Sequence, residues 1–289
     1  MAMMPKSILT KLVQEYNTFT KSEKKITDYV LAHKQETQYM TITELALECK
    51  VAEATLTRYC RRLGCGGFNE FKLSLAKAAV SPRDPDSMYG LYGEINPTDS
   101  VDDMCQKLYN ADKEALTQTF QLMDPESIVA AVDFIQRADR VYCYGQGGSS
   151  ILAMEAWGRF VTVTSKVQWI QDSHMQAMAA ALLRKNDVIL YFSFSGATRE
   201  LMDITQIAAK RGVRLILVTR FPKSPGAAYT DVLLLCGAVE GPLQLGSVAA
   251  KVSQLYIIDV LFNEFCRRDM KKSLENRDGT AKAIANKHL

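Results

Sequence analysis

Three hydroxyl side chains crowd one glycine in the stretch DVILYFSFSGATRE, residues 187–200, where Ser193, Ser195 and Thr198 stand around Gly196. That set suits a phosphate or another anion. Hydroxyls donate to its oxygens, glycine lets the backbone come close, and free N–H groups at a helix start point the same way. Val188, Ile189, Leu190, Tyr191 and Phe192 precede the turn without polar alternation, as in a strand covered on both faces of a parallel sheet. Leu201, Ile204, Ile207 and Ala208 follow it at helical spacing. The turn thus joins a strand's carboxyl end to a helix's amino end, which is the ligand crevice of open α/β sheets. A helix cap accounts for one such hydroxyl, and less readily for three.

A second loop, Gly145 to Ser150, also lies between a strand (VYCYG) and a helix. It fails as a dinucleotide fingerprint, because Ser150 occupies the third glycine position and Asp172 lies beyond the usual distance for a ribose carboxylate. It fits better as a second wall, Gly147 and Ser149 closing with Ser193, Ser195 and Thr198 over one phosphate. Moving a proton between sugar carbons would also need a general base. The candidates are His174, in DSHMQAM, and Glu240, in AVEGPLQLGS. Neither has a diagnostic partner, so both are read as contacts to ligand hydroxyls or as structural, and no catalytic residue is expected.

Both loops belong to a region of alternating strand and helix. From Arg140 the predicted order is strand VYCYG, helix 149–163, strand KVQWI, helix 174–183, strand DVILYF, the helix after Thr198, strand RLILVTR, strand DVLLLC, and a helix from about Ser247 to Cys266. Right-handed crossovers would wind five strands into one parallel sheet between helical layers. Val248, Val252, Leu255, Ile258, Leu261 and Phe262 stripe the last helix, and a monomer core or an oligomer interface explains them equally well. Upstream, a helix over about 98–123 precedes Asp124-Pro125, an N-cap and first-turn proline. Residues 81–100 hold three of the eight prolines without periodicity and mark a domain boundary.

The first eighty residues are helical and basic, with 12 Lys and Arg against 8 Asp and Glu, while the remaining 23 basic and 24 acidic residues nearly cancel. Thr20 with Glu23 and Thr41 with Glu44 have the spacing of capping boxes. After the second box the pattern reads helix, tight turn, helix: Leu45, Ala46 and Cys49 are inward, then Val51, then Leu56, Tyr59, Cys60 and Leu63. The outer face of the second helix suits a DNA major groove, with Glu53, Ala54 and Arg58 placed for base edges and Thr55, Thr57 and Arg61 for phosphates. Gly64 ends that helix and Phe68 starts another.

The totals bound the rest. At 289 residues and 47% hydrophobic composition the chain can form one large or two ordinary domains around packed cores. No apolar run approaches the roughly 18 to 20 residues of a membrane span, and the start lacks a signal peptide's apolar block, so a cytoplasmic, membrane-free protein is expected. Seven scattered cysteines read as reduced thiols, and Cys60 and Cys65 have no histidine near for zinc. Neither a cofactor nor a metal is expected.

The run MTITELALECKVAEATLTRYCRRLGCGGFNEFKLSLAKA resembles the amino-terminal domain of the RpiR family of bacterial transcription regulators. Lys50 stands where the commoner pattern has a turn glycine, and Ala52 where it has a serine cap. Residues from roughly Ile128 to Arg268 resemble the sugar isomerase (SIS) domain in the glycine loop with Ser149, the Ser-x-Ser-Gly-x-Thr of Ser193 to Thr198, Ser224-Pro225, and SQLYIIDVLF. The resemblance implies an all-α helix-turn-helix domain (residues 1–80), a linker and connecting helix (81–127), an α/β three-layer SIS domain with a five-stranded parallel sheet (128–268) and a carboxyl-terminal tail (269–289). It implies a regulator of carbohydrate-metabolism genes that binds double-stranded operator DNA as a homodimer or homotetramer. Its effector would be a phosphorylated sugar or amino sugar, the phosphate held by Ser149, Ser193, Ser195 and Thr198. SIS domains also serve as sugar-phosphate isomerases or lyases, which is the alternative.

Overall fold

A computed structural model describes residues 7–79, 95–238, 240 and 247–285. The chain divides into two compact units, Met1–Ala111 with Val239–Ser247, and Asp112–Ala238 with Val248–Leu289.

Residues 7–79 of the first unit form short helices: α1 (Ile8–Glu15), α2 (Lys21–Ala32), α3 (Lys34–Thr37), α4 (Ile42–Glu48), α5 (Glu53–Arg62) and α6 (Phe68–Ala79). Both predicted capping boxes form. Thr20 and Thr41 accept from the backbone N–H of Glu23 and Glu44, whose carboxylates accept in return from the cap N–H groups. The periodic apolar positions meet inside, with Leu12, Ile26, Val30, Leu45, Leu56, Tyr59 and Phe71 fully buried. Each such side chain contributes roughly 1.5–3 kcal/mol. Tyr59 packs edge-on against Phe19 and Phe71, and its hydroxyl is satisfied by Thr27 at 2.6 Å.

The helix predicted over 98–123 is α7 (Val101–Leu122), beginning later because the cap is Ser100, in reciprocal hydrogen bonds with Asp103. The division between the units falls inside it, at Ala111. Most of the expected linker, residues 81–94, lies outside the described residues. Asp124 then caps α8 (Pro125–Arg137), as its sequence predicts.

The second unit carries the sheet: β1 (Val141–Gly145), β2 (Val167–Trp169), β3 (Val188–Phe192), β4 (Arg214–Thr219) and β5 (Val232–Leu235), all parallel, in the order β2-β1-β3-β4-β5. The helices are α9 (Gly148–Phe160), α10 (Ser173–Ala181), α11 (Arg199–Arg211) and α12 (Val248–Arg268). Alternate residues of β3 enter two separate cores. Val188, Leu190 and Phe192 pack with α8, α9 and α12, while Ile189 and Tyr191 pack with α10 and α11. Because successive strand side chains point to opposite faces, the unit has the expected three layers. Residues after Asp269, for which the sequence suggests no element, form α13 (Met270–Ile284), capped by Asp269 and held by Asn276 and Thr280 donating to the carbonyls of Val163 and Thr162.

Candidate functional site

In this strand order the chain goes from β1 outward to β2 and then returns across β1 to β3. The order therefore reverses between β1 and β3, where open α/β sheets bind ligands. The register pairs Gly145 with Phe192. The two loops singled out in the sequence thus leave adjacent strands at the same level, and each runs into a helix start.

The loop after β3 is shaped by close packing. Gly196 has φ +60, and a Cβ there would meet Ser224 Oγ at 2.1 Å, so backbone conformation and space both require glycine. Gly226 N–H donates to the Gly196 carbonyl, and Thr219 Oγ1 and Arg220 N–H donate to the Phe194 carbonyl, tying the turn to the segment after β4. Thr198 occupies the N-cap position of α11 yet makes no side-chain cap bond. Its Oγ1, like Ser193 Oγ and Ser224 Oγ, is buried without a hydrogen-bond partner. Ser195 Oγ accepts from Ala197 N–H at 3.3 Å. Buried polar groups are almost always paired, and these three hydroxyls about one turn keep hydrogen-bonding capacity.

The loop after β1 turns at Gly147, whose φ +53 and ψ −124 only glycine adopts readily. Ser149 lies in the first turn of α9, half-buried. A feature the sequence reading missed fixes this loop: Gln176, buried on α10, accepts from Gln146 Nε2 at 2.7 Å and donates to the Ile170 carbonyl at 2.7 Å. No local pattern marks it, since its partners come from the loop after β1 and the end of β2. His174 is exposed near the start of α10, and Asp172 is occupied capping Met175 N–H. Glu240 falls in the first unit, where its carboxylate accepts from Ser247 N–H at 2.7 Å.

In the first unit, the turn between α4 and α5 closes through Val51 N–H donating to the Ala46 carbonyl and Lys50 N–H to that of Leu47. This closure needs a left-handed residue. Lys50 supplies it at φ +53, the one non-glycine residue with positive φ among those described. Ala52 then begins α5 without a side-chain cap. Glu53, Ala54, Arg58 and Arg61 are exposed, and Thr55 and Thr57 are half-buried. Glu53 accepts from Thr43 Oγ1 at 2.6 Å, and Thr57 Oγ1 donates to the Glu53 carbonyl within its own helix. Arg62, also exposed, is paired within the unit, donating to Glu23 at 2.7 Å and to Thr18 and stacking on Phe19. Arg58 and Arg61 are the other exposed cations of the second helix. Among the described residues no group of three or more His, Cys, Asp or Glu is placed to hold a metal, and no helix is long and apolar enough to cross a membrane.

Comparison with known proteins agrees in both units. Residues 6–82 match the model of the helix-turn-helix domain of the rpiR family, and residues 134–264 match that of the SIS domain. An uncharacterized HTH-type transcriptional regulator of Haemophilus influenzae is 30% identical over 283 residues, covering 98% of each chain. Another from Caldanaerobacter subterraneus is 31% identical, covering 93% of this chain and 95% of the relative. Among solved structures, the Vibrio vulnificus NanR protein complexed with ManNAc-6P superposes with a TM-score of 0.84 at 27% identity, covering 96% of this chain and 98% of that one. The sugar isomerase domain of an RpiR transcription factor from Sphaerobacter thermophilus matches at TM-score 0.57 and 25% identity, covering 62% of this chain and 98% of that one.

Proposed function

Since the chain belongs to the RpiR family of transcriptional regulators, with a helix-turn-helix domain and an SIS domain, we propose that it controls carbohydrate-metabolism genes in answer to a phosphorylated sugar or amino sugar. One observation carries the effector reading: two glycine loops meet at the switch point of the sheet, with Ser193 and Thr198 hydroxyls buried and unmatched. A phosphate supplies the acceptors these groups lack. In this reading Gly147, Ser149, Ser193, Ser195 and Thr198 hold it. The likeness to NanR, whose structure contains ManNAc-6P, supports the same class of ligand. The test is a thermal-shift panel of sugar phosphates including ManNAc-6P. Wild-type protein is expected to shift with one of them and Ser195→Ala to lose the shift; an equal shift in both refutes the assignment.

We assign DNA reading to residues 1–80, with Glu53, Ala54 and Arg58 at base edges and Thr55, Thr57 and Arg61 at phosphates, in a cytoplasmic homodimer or homotetramer on a two-fold operator. The expected result is a salt-dependent preference for upstream DNA over random DNA that Arg58→Ala relaxes. The SIS fold also occurs in sugar-phosphate isomerases, and here we propose binding without turnover. Conversion of a sugar phosphate that His174→Ala or Glu240→Gln abolishes would overturn that.

A further inference from the structure

A fourth unmatched oxygen lies at the same crevice, on a residue that neither loop contains. Tyr191 is on β3, two residues before Ser193, with its ring fully buried and set edge-on to Tyr144 at 6.4 Å. Its phenol oxygen lies near enough to the Gln146 and Thr198 side chains for both to favour its ionised form, yet neither meets hydrogen-bond geometry with it. The Gln146 amide nitrogen is committed to Gln176, which the Gly145 and Ile170 carbonyls hold in turn. Thr198 is an N-cap whose own hydroxyl is also without a partner. Two buried hydroxyls side by side, neither in good hydrogen-bond geometry with any protein group, keep capacity for a third group that bonds to both. Burial pushes the phenol up to about 12, so it stays protonated and able to donate throughout the neutral range.

We propose that Tyr191 is a further effector-binding residue, whose phenol O–H donates to an oxygen of the ligand lodged between the Gly147 loop and the start of α11. The proposal rests on the reading of this crevice as a sugar-phosphate site and extends it. The loops supply hydroxyls from the level of the strand ends, and Tyr191 adds a donor from below, on the side of the sheet covered by α10 and α11. The ligand it recognises must carry a hydrogen-bond acceptor deep in the crevice, either a phosphate oxygen or an oxygen of the sugar.

Tyr191→Phe removes that oxygen and keeps the buried ring, so the melting temperature of the ligand-free variant separates binding from folding. The ligand-free protein is expected to melt at the same temperature or higher, because a buried unpaired hydroxyl is lost. Binding of inorganic phosphate and of ManNAc-6P to the full chain would be measured by titration calorimetry, with Kd expected to rise about tenfold in the variant, the loss of one good hydrogen bond. Weakening of both probes places the phenol on the phosphate, and weakening of ManNAc-6P alone places it on the sugar. Equal Kd values in wild type and variant for both probes overturn the proposal. So does a double variant with Thr198→Val in which Tyr191→Phe has no added effect, since the phenol would then act only by positioning Thr198. Wild-type protein that binds neither probe, nor any other sugar phosphate, refutes instead the underlying reading of the crevice.

Discussion

Lys50 and Gly196 show what single residues cost and contribute. Each has a left-handed backbone, but Gly196 has the residue type the conformation asks for and Lys50 does not. A side chain there costs roughly 1–2 kcal/mol. Lys50→Gly is therefore expected to stabilise the first unit by about 1 kcal/mol, read as slower amide hydrogen exchange in α4 and α5. Slower exchange in neither helix would show that the strain is relieved elsewhere. At Gly196 the opposite holds. Gly196→Ala puts a methyl group against Ser224 and forces a strained φ, at a cost of about 1–3 kcal/mol. The loop must then shift, and the thermal shift with ligand is expected to vanish with it.

The elements of the first unit stand on their caps. Thr41 Oγ1 accepts from Glu44 N–H, and the Glu44 carboxylate accepts in return from Thr41 N–H, a reciprocal box at the start of α4; Thr41→Ala is expected to cost about 1 kcal/mol in denaturant unfolding of that unit. The other box is tied to a second helix, because Glu23 accepts from Thr20 and also from Arg62 on α5. Burial pushes the Glu23 carboxyl up, but the bonds from Thr20 and Arg62 outweigh it and hold it below its ordinary range. A lowered carboxyl stabilises the fold above the pKa of the unfolded chain, roughly 4 to 5, and that contribution is lost as pH falls through the lowered value. Helix packing at α2 and α5 is accordingly expected to weaken in acid, and Arg62→Ala to flatten the acid limb of a pH–stability curve. An unchanged limb would show that the ion pair contributes nothing to folding.

At the scale of the whole molecule, the proposed function requires that ligand binding change DNA affinity, and the size of that change is bounded by how well the ligand distinguishes the two states. In the proposed reading the charge that meets DNA resides in a few exposed side chains, since Arg62, though exposed, is paired with Glu23. Arg61→Ala is expected to weaken binding to all DNA sequences alike and to reduce the slope of log affinity against log salt by about one. Arg58→Ala should instead blur the preference among sequences. If the salt slope is unmoved by Arg61→Ala, that residue does not face phosphate.

Much of this protein is legible in one dimension because the relevant physics is local. Capping boxes, the 3.6-residue periodicity of α4 and α5, the unbroken apolar strands and the serine-rich turn after β3 depend on neighbours a few residues away. They suffice for the helix-turn-helix, the parallel sheet and the proposal of an anion site at residues 193–198. The start of α7 is less legible, because three hydroxyl or carboxylate residues compete to cap it and geometry selects Ser100. The order β2-β1-β3-β4-β5 is another matter. It follows from which strands find edges to pair with, and it alone sets the Gly147 loop beside Ser193. Likewise the commitment of Arg62 to Glu23, of Gln146 to Gln176, and the unmatched phenol of Tyr191 arise between residues distant in sequence. Their energies depend on burial and on partners that only the packed chain brings together.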